Sequence, residues 1–278
     1  FRLAVIDDLA NRLHNVDLFV DHNYFSGSES SRYEGKLNSS ARLCLGPDFA
    51  LIDPIYSSLT ISSPLKLKVR TILISLGGVG NNSLLQNILA VLGDLKQIYD
   101  LRIICIPGPL ASIDQSTQRL INQFGIEVYS SVLSLAPLML SADLCIGAGG
   151  TTTWERLCLG LPTISFSLAE NQNSYNRFLS DDKYLVYINP SASKKCVTDL
   201  LKKELYSFID SYSRLSEMSA RGKLLVDGHG CDRISRLLLL ETKPSYLQNL
   251  TYSLDFGSDN ILTMKWSDQL KVVTGYES

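Results

Sequence analysis

The chain has 278 residues, enough for one large or two ordinary domains, and its 45% hydrophobic and 19% charged content is globular rather than disordered. Its 26 basic and 28 acidic residues give a net charge of −2, which argues against a broad nucleic-acid or anionic-membrane surface. Six scattered cysteines without a CxxC pair read as buried, reduced thiols; no apolar run is long enough for a membrane span, and the expected location is cytoplasmic.

Phe1–Ile6 reads as an apolar strand ending in Asp7-Asp8, and Val16–Val20 as the next strand, ending in Asp21-His22-Asn23-Tyr24. Carboxyl ends of strands often face a ligand crevice, so Asp8, Asn23 and Tyr24 are candidate contacts; for the aspartates a solvated turn carries equal weight. His14 and His22 read as surface or capping residues. The polar stretch Phe25–Ser40 reads as a mobile loop, and Pro54–Leu67, holding Pro54 and Pro64, as a linker between domains.

Beyond the linker, strands and helices alternate. Strands are expected at Thr71–Leu76, Leu101–Ile106, Glu127–Tyr129, Asp143–Ile146, Thr163–Phe166 and Leu185–Ile188. Helices are expected at Ser83–Ile98, Ile113–Phe124 and Leu133–Leu140, from Thr152, Asn171 and Ser193, and over most of Leu205–Leu240 with a break at Asp227–Gly230. This order implies a parallel sheet covered on both faces, a doubly wound α/β domain. The tail Tyr246–Ser278 alternates apolar residues, including Trp266, and reads as strands or a β-hairpin.

Two strand-to-helix turns are rich in glycine: Ser75-Leu76-Gly77-Gly78-Val79-Gly80 and Gly147-Ala148-Gly149-Gly150, the second followed by Thr151, Thr152 and Thr153. Such turns let backbone N–H groups approach a phosphate, and the helix start adds a positive dipole end. Threonine hydroxyls add donors, and Glu155, one turn inside the helix, suits the two hydroxyls of a ribose. Asn171 and Gln172 follow another strand at the same edge and carry paired amide donors and acceptors for sugar hydroxyls or acetamido groups. The Pro107-Gly108-Pro109 turn reads as a plain loop, with contact to an aromatic base or a sugar as the alternative. Neither a metal-ligand spacing, a GxSxG elbow, a full GxGxxG nor a Walker lysine is present, so no metal or organic cofactor is expected.

Taken in order, Ile6–Asp21, Ser75–Asn82, Ile146–Pro162, Glu170–Gln172 and Met218–Gly230 resemble the UDP-2,4-diacetamido-2,4,6-trideoxy-beta-L-altropyranose hydrolases of pseudaminic acid biosynthesis. These are similar in turn to a spore coat polysaccharide protein and, more distantly, to the lipid II-forming N-acetylglucosaminyl transferase. The resemblance covers residues 1–241 and implies a two-domain GT-B architecture, residues 1–53 being the remnant of a truncated N-terminal domain, 54–69 the linker and 70–241 the nucleotide-sugar domain. The extension 242–278 has no counterpart. The implied chemistry is metal-independent attack of water at the anomeric carbon of a UDP-sugar, with inversion. The general base would be a His in a GxGH-type loop; this sequence has no such loop, which leaves a catalytically inert nucleotide-sugar binding module as one alternative and a GT-B glycosyltransferase as another. Asp53 stands where relatives carry Arg, a departure that bears on how the phosphates are held.

Overall fold

Three short strands, β1 (Ala4–Ile6), β2 (Leu18–Asp21) and β3 (Arg42–Leu45), pair in parallel in the order β1-β2-β3. This computed structural model describes residues 3–64, 66–78, 81–108, 113–130, 132–209, 211–240, 251–255 and 261–265. Val79, Gly80, Pro109 and, in the tail, 242–250, 256–260 and 266–278 lie outside the described residues. β3 has little sequence signal of its own and is held by its register with β2, a tertiary effect that outweighs propensity.

The expected mobile loop after β2 is tied down. A 3-10 turn at Ser31–Tyr33 brings the Tyr33 ring edge-on to Phe19, centroids 4.6 Å apart, and the Tyr33 hydroxyl donates to Asp21 Oδ2 at 2.7 Å. Within the expected linker lies a helix, α1 (Ile55–Ser62). It is docked: the Thr60 and Ser63 hydroxyls donate to the carbonyls of Cys158 and Leu159 at 2.8 and 2.7 Å.

The alternating segment follows as β4 (Thr71–Ser75), α2 (Asn82–Lys96), β5 (Arg102–Ile106), α3 (Gln115–Phe124) and β6 (Glu127–Val128). Then come α4 (Ala136–Ser141), β7 (Leu144–Ala148), α5 (Thr151–Cys158), β8 (Thr163–Phe166), α6 (Gln172–Asp181), β9 (Val186–Ile188), α7 (Lys194–Ile209) and α8 (Tyr212–Leu225). The six strands form one parallel sheet in the order β6-β5-β4-β7-β8-β9.

Period-two alternation sends apolar side chains to both faces of that sheet. Ile72, Ile74, Ile103 and Ile146 join the core built with α2, α3, α7 and α8, while Leu73, Ile104 and Cys145 join the one built with α1, α4, α5 and α6. Helix ends follow local chemistry. Asn81 and Asp114 cap α2 and α3 by accepting from the N–H groups of Leu84 and Thr117 at 3.0 and 2.8 Å, and Gly125 stops α3 at a φ of 56°. The helical run expected from Leu205 is split, because Ser211 starts a new helix by accepting from the Arg214 N–H at 3.3 Å.

The chain divides into two units, Phe1–Cys231 and Asp232–Ser278. The second holds most of α9 (Gly230–Leu240) and the antiparallel pair β10 (Thr251–Asp255) and β11 (Ile261–Lys265), the strand pair expected of the tail. Among the described residues no helix is long and apolar enough to cross a membrane.

Candidate functional site

From β4 the larger sheet grows outward through β5 and β6, and the chain then returns beside β4 as β7 and grows the other way. The point of reversal lies between β4 and β7, where open α/β sheets form a crevice at the carboxyl ends of their strands. Both glycine turns sit there. Gly77 holds a φ of 77°, and a Cβ added to it would lie 4.0 Å from Ala148 Cβ in the second turn. Gly108, at the end of β5, is packed so closely that a Cβ there would fall 2.1 Å from the Gly77 carbonyl oxygen. Gly78 is open, with nothing within 4 Å of the corresponding position.

In the second turn, Gly150 takes a φ of 111°, a conformation that suits glycine, and leads directly into α5. Its N–H donates to the Tyr175 hydroxyl at 2.6 Å, and the Thr153 N–H donates to the Gly150 carbonyl at 2.9 Å. The N–H groups of Thr151 and Thr152 precede the first intrahelical hydrogen bonds, the property that lets a helix start receive an anion. Gly149 lies on a polar floor: a Cβ would stand 2.6 Å from Asn176 Nδ2, 2.9 Å from the Tyr175 oxygen and 3.0 Å from Gln172 Oε1. Asn176 is itself fixed, accepting from the Ser165 hydroxyl at 2.8 Å and donating to the Gln172 carbonyl at 2.9 Å.

The smaller sheet contributes the opposite wall. A cleft of about 250 Å³ is lined on that side by Ile6, Asp7, Asp8, Asp21, His22 and Asn23, and on the other by Gly150, Thr151, Asn171, Gln172 and Tyr175. Asp8 Oδ2 joins the walls by accepting from Asn171 Nδ2 at 3.1 Å and from Asn23 Nδ2 at 3.4 Å. Burial pushes the Asp21 carboxyl up, against the Asn23 N–H, the Tyr33 hydroxyl and the Arg32 guanidinium, which favour its anion. Burial pushes the His22 imidazole down, and its ring meets the Trp154 indole edge-on at 5.7 Å. His22 is thus part of the cleft wall, where the sequence indicated a surface or capping residue.

Of the residues singled out in the sequence, Gly150, Thr151, Asn171, Gln172, Asp8 and Asn23 share this cleft, with Gly149 beneath it. Gly77 and Gly78 form the adjoining turn. Glu155 lies deeper along α5, where burial raises its pKa and the Tyr56 hydroxyl of α1 hydrogen-bonds it. Thr152 Oγ1 accepts from Arg156 Nη1 at 3.2 Å. Thr153 faces inward, only 1% exposed, with Oγ1 accepting from Arg156 Nη2 at 3.1 Å, and Tyr24 turns away to donate to Asp182 Oδ2 at 2.6 Å. The sequence reading missed Arg156, Tyr175 and Asn176. A charged residue one turn after Thr153, between Trp154 and Leu157 on an apolar face, was the available signal.

Two parallel sheets with their carboxyl edges on one cleft, and a sheet reversal that carries glycine turns, define a GT-B-like α/β fold. Acinetobacter baumannii MurG superposes with a TM-score of 0.55 at 14% identity, covering 80% of this chain and 66% of that one. The S. aureus MnaA–UDP co-structure gives 0.56 at 15% identity, covering 82% and 62%. Residues 71–225, more than half of the chain, match the glycosyltransferase family 28 C-terminal domain, and the chain belongs to that family. It is also similar to the spore coat polysaccharide biosynthesis protein SpsG of Bacillus subtilis (strain 168), 24% identical over 203 residues. That match takes in 73% of this chain and 59% of SpsG, so the chain spans less than two thirds of the relative's length.

Proposed function

We propose that the cleft binds a nucleoside-diphosphate sugar, UDP-linked, and belongs to an enzyme that hydrolyses it. The observation that carries this reading is the placement of two glycine turns and a helix start at the sheet reversal, with the second turn and the helix start facing amide and carboxylate side chains from a second sheet. The diphosphate would rest on Gly77, Gly78, Gly149, Gly150, Thr151 and Thr152; Gly149 and Gly150, whose N–H groups go to Phe166 and Tyr175, allow close approach, and the N–H and hydroxyl donors of the helix start stabilise the charge that grows on a departing diphosphate. Glu155 would take the ribose. Asp8, Asn23, Asn171 and Gln172 offer the acceptors and donors that a diacetamido-trideoxy hexose needs.

In this reaction water attacks the anomeric carbon from the face opposite the diphosphate, the anomeric C–O bond breaks, and UDP leaves with inversion. The water must lose a proton to a base. The hydrolase resemblance assigns that base to a GxGH-type loop, which this sequence lacks, so binding without turnover is the expected behaviour of the chain by itself. Membership of a glycosyltransferase family favours a second reading, transfer of the sugar to an acceptor hydroxyl at the same cleft.

Calorimetric titration with UDP, with and without a chelator, and with Thr151→Ala and Glu155→Ala tests the site. Chelator-resistant binding weakened in both variants supports it, and absence of heat with any uridine nucleotide overturns it. Incubation of the protein with UDP-sugar and an acceptor separates the readings, free sugar marking hydrolysis, a glycosylated acceptor marking transfer and unchanged UDP-sugar marking binding without turnover.

A further inference from the structure

Arg156 is fully buried, 0% exposed, directly beneath the second glycine turn. A Cβ on Gly147 would stand 2.6 Å from its Nη1 atom, so this glycine keeps the space the guanidinium fills. Nη2 donates to the Ala148 carbonyl at 2.8 Å and to Thr153 Oγ1 at 3.1 Å, and Nη1 to Thr152 Oγ1 at 3.2 Å. Nε is buried with no hydrogen-bond partner among the described residues, and among them no carboxylate forms an ion pair with Arg156. A structural arginine in a core is normally neutralised by a carboxylate fork, because an isolated buried charge is costly. Here the oxygen acceptors are the three neutral ones of the turn and the first helical residues, the Cys145 thiol is a further hydrogen-bond partner, and the neighbouring Glu155 carboxyl acts on the guanidinium through space without an ion pair.

We propose that Arg156 is a positioning residue for an anionic ligand: its buried charge, held in no ion pair among the described residues, lies under the β7–α5 turn, polarises the Thr152 and Thr153 hydroxyls, and attracts a diphosphate to the turn above. The inference rests on the diphosphate assignment made for that turn. A guanidinium donates all its protons, so each threonine hydroxyl that accepts from it is left free to donate its own hydrogen outward or to a neighbour. In the low-polarity interior the charge is screened less than a surface lysine would be, and it reinforces the helix-start dipole without touching the ligand.

The test compares wild type, Arg156→Met and Arg156→Lys in calorimetric titrations with uridine, UMP and UDP at two salt concentrations, each beside a ligand-free melting curve. Methionine fills much of the volume without charge. The expected result is UDP affinity at least about tenfold weaker in Arg156→Met, with partial recovery in Arg156→Lys. Uridine affinity should be unchanged and the ligand-free Tm equal to or above wild type, since replacing an unpaired buried charge by an apolar side chain is neutral or stabilising. A merely structural arginine gives the opposite pattern: a lowered Tm, with uridine and UDP affinities falling together or both unchanged, and that pattern overturns the inference. If wild type binds UDP and Arg156→Met binds it equally well, only the role of Arg156 fails. If wild type binds none of the three ligands, the nucleotide assignment itself fails.

Discussion

Gly149→Ala should damage the cleft through sterics alone. Its backbone lies outside the left-handed region, so alanine is conformationally acceptable, yet the new methyl would sit 2.6 Å from Asn176 Nδ2 and 2.9 Å from the Tyr175 oxygen. Both neighbours are constrained. Asn176 bonds Ser165, Ser167 and the Gln172 carbonyl, and the Tyr175 hydroxyl accepts from the Gly150 N–H. Inserting a methyl into such packing costs about 1–3 kcal/mol, and each buried polar group pushed off its partner adds about 1–3 kcal/mol. With relaxation shared between the two, a loss of about 3 kcal/mol follows, equivalent to a Tm lowered by roughly 6–12 °C in a unit of this size. Urea unfolding of ligand-free protein, read by tryptophan fluorescence from the buried Trp154, gives the value. Removing the clashing amide supplies the internal control: Gly149→Ala with Asn176→Ala should cost less than the sum of the single variants. A single-variant loss under about 0.5 kcal/mol, or strict additivity, would refute the picture of a turn resting on a rigid polar floor.

Gly78→Ala meets open space and should leave stability within about 0.5 kcal/mol while weakening UDP binding, because a methyl there occupies the approach to the turn; unchanged affinity by calorimetry would remove Gly78 from the site. Tyr175→Phe deletes the acceptor for the Gly150 N–H and should cost about 1 kcal/mol in urea unfolding, a smaller loss than Gly149→Ala. The His22 imidazole is held below its ordinary value of 6.5 by burial, so the unfolded chain binds the extra proton first. Stability should therefore be full above about pH 6.5 and decline as pH falls toward the lowered folded value, a slope that His22→Gln reduces in unfolding curves measured across pH. Glu155 has the opposite sign: its pKa is raised, so its contribution is complete below the unfolded value of 4.5 and is lost as pH rises through the folded value. Glu155→Gln should remove that dependence.

Much of the larger sheet could be read directly. Thr163–Phe166 matches β8, and the apolar runs that become β4, β5 and β7 are aliphatic on alternate positions facing two different cores. The glycine turns were visible because few residues tolerate a φ of 77° or 111°. What escaped notice depends on partners distant in sequence. Tyr33 is buried because Asp21 awaits it, and α1 is held by carbonyls at Cys158 and Leu159. Thr153 was grouped with its neighbours as a ligand donor, yet a helix turns each successive residue by about 100°, so three consecutive threonines cannot share one face. The floor of Tyr175 and Asn176 comes from α6, and only the fold brings it under a turn that precedes α5.

Amide hydrogen exchange on the intact chain, with and without saturating UDP, tests the site assignment most directly. The account predicts new protection at Gly77–Gly78 and at Thr151–Thr152, whose N–H groups are not spent on Phe166 and Tyr175 as those of Gly149 and Gly150 are, with little change along α7 and α8 on the opposite core. Protection elsewhere with both turns unchanged, at a UDP concentration that calorimetry shows to be bound, would contradict it.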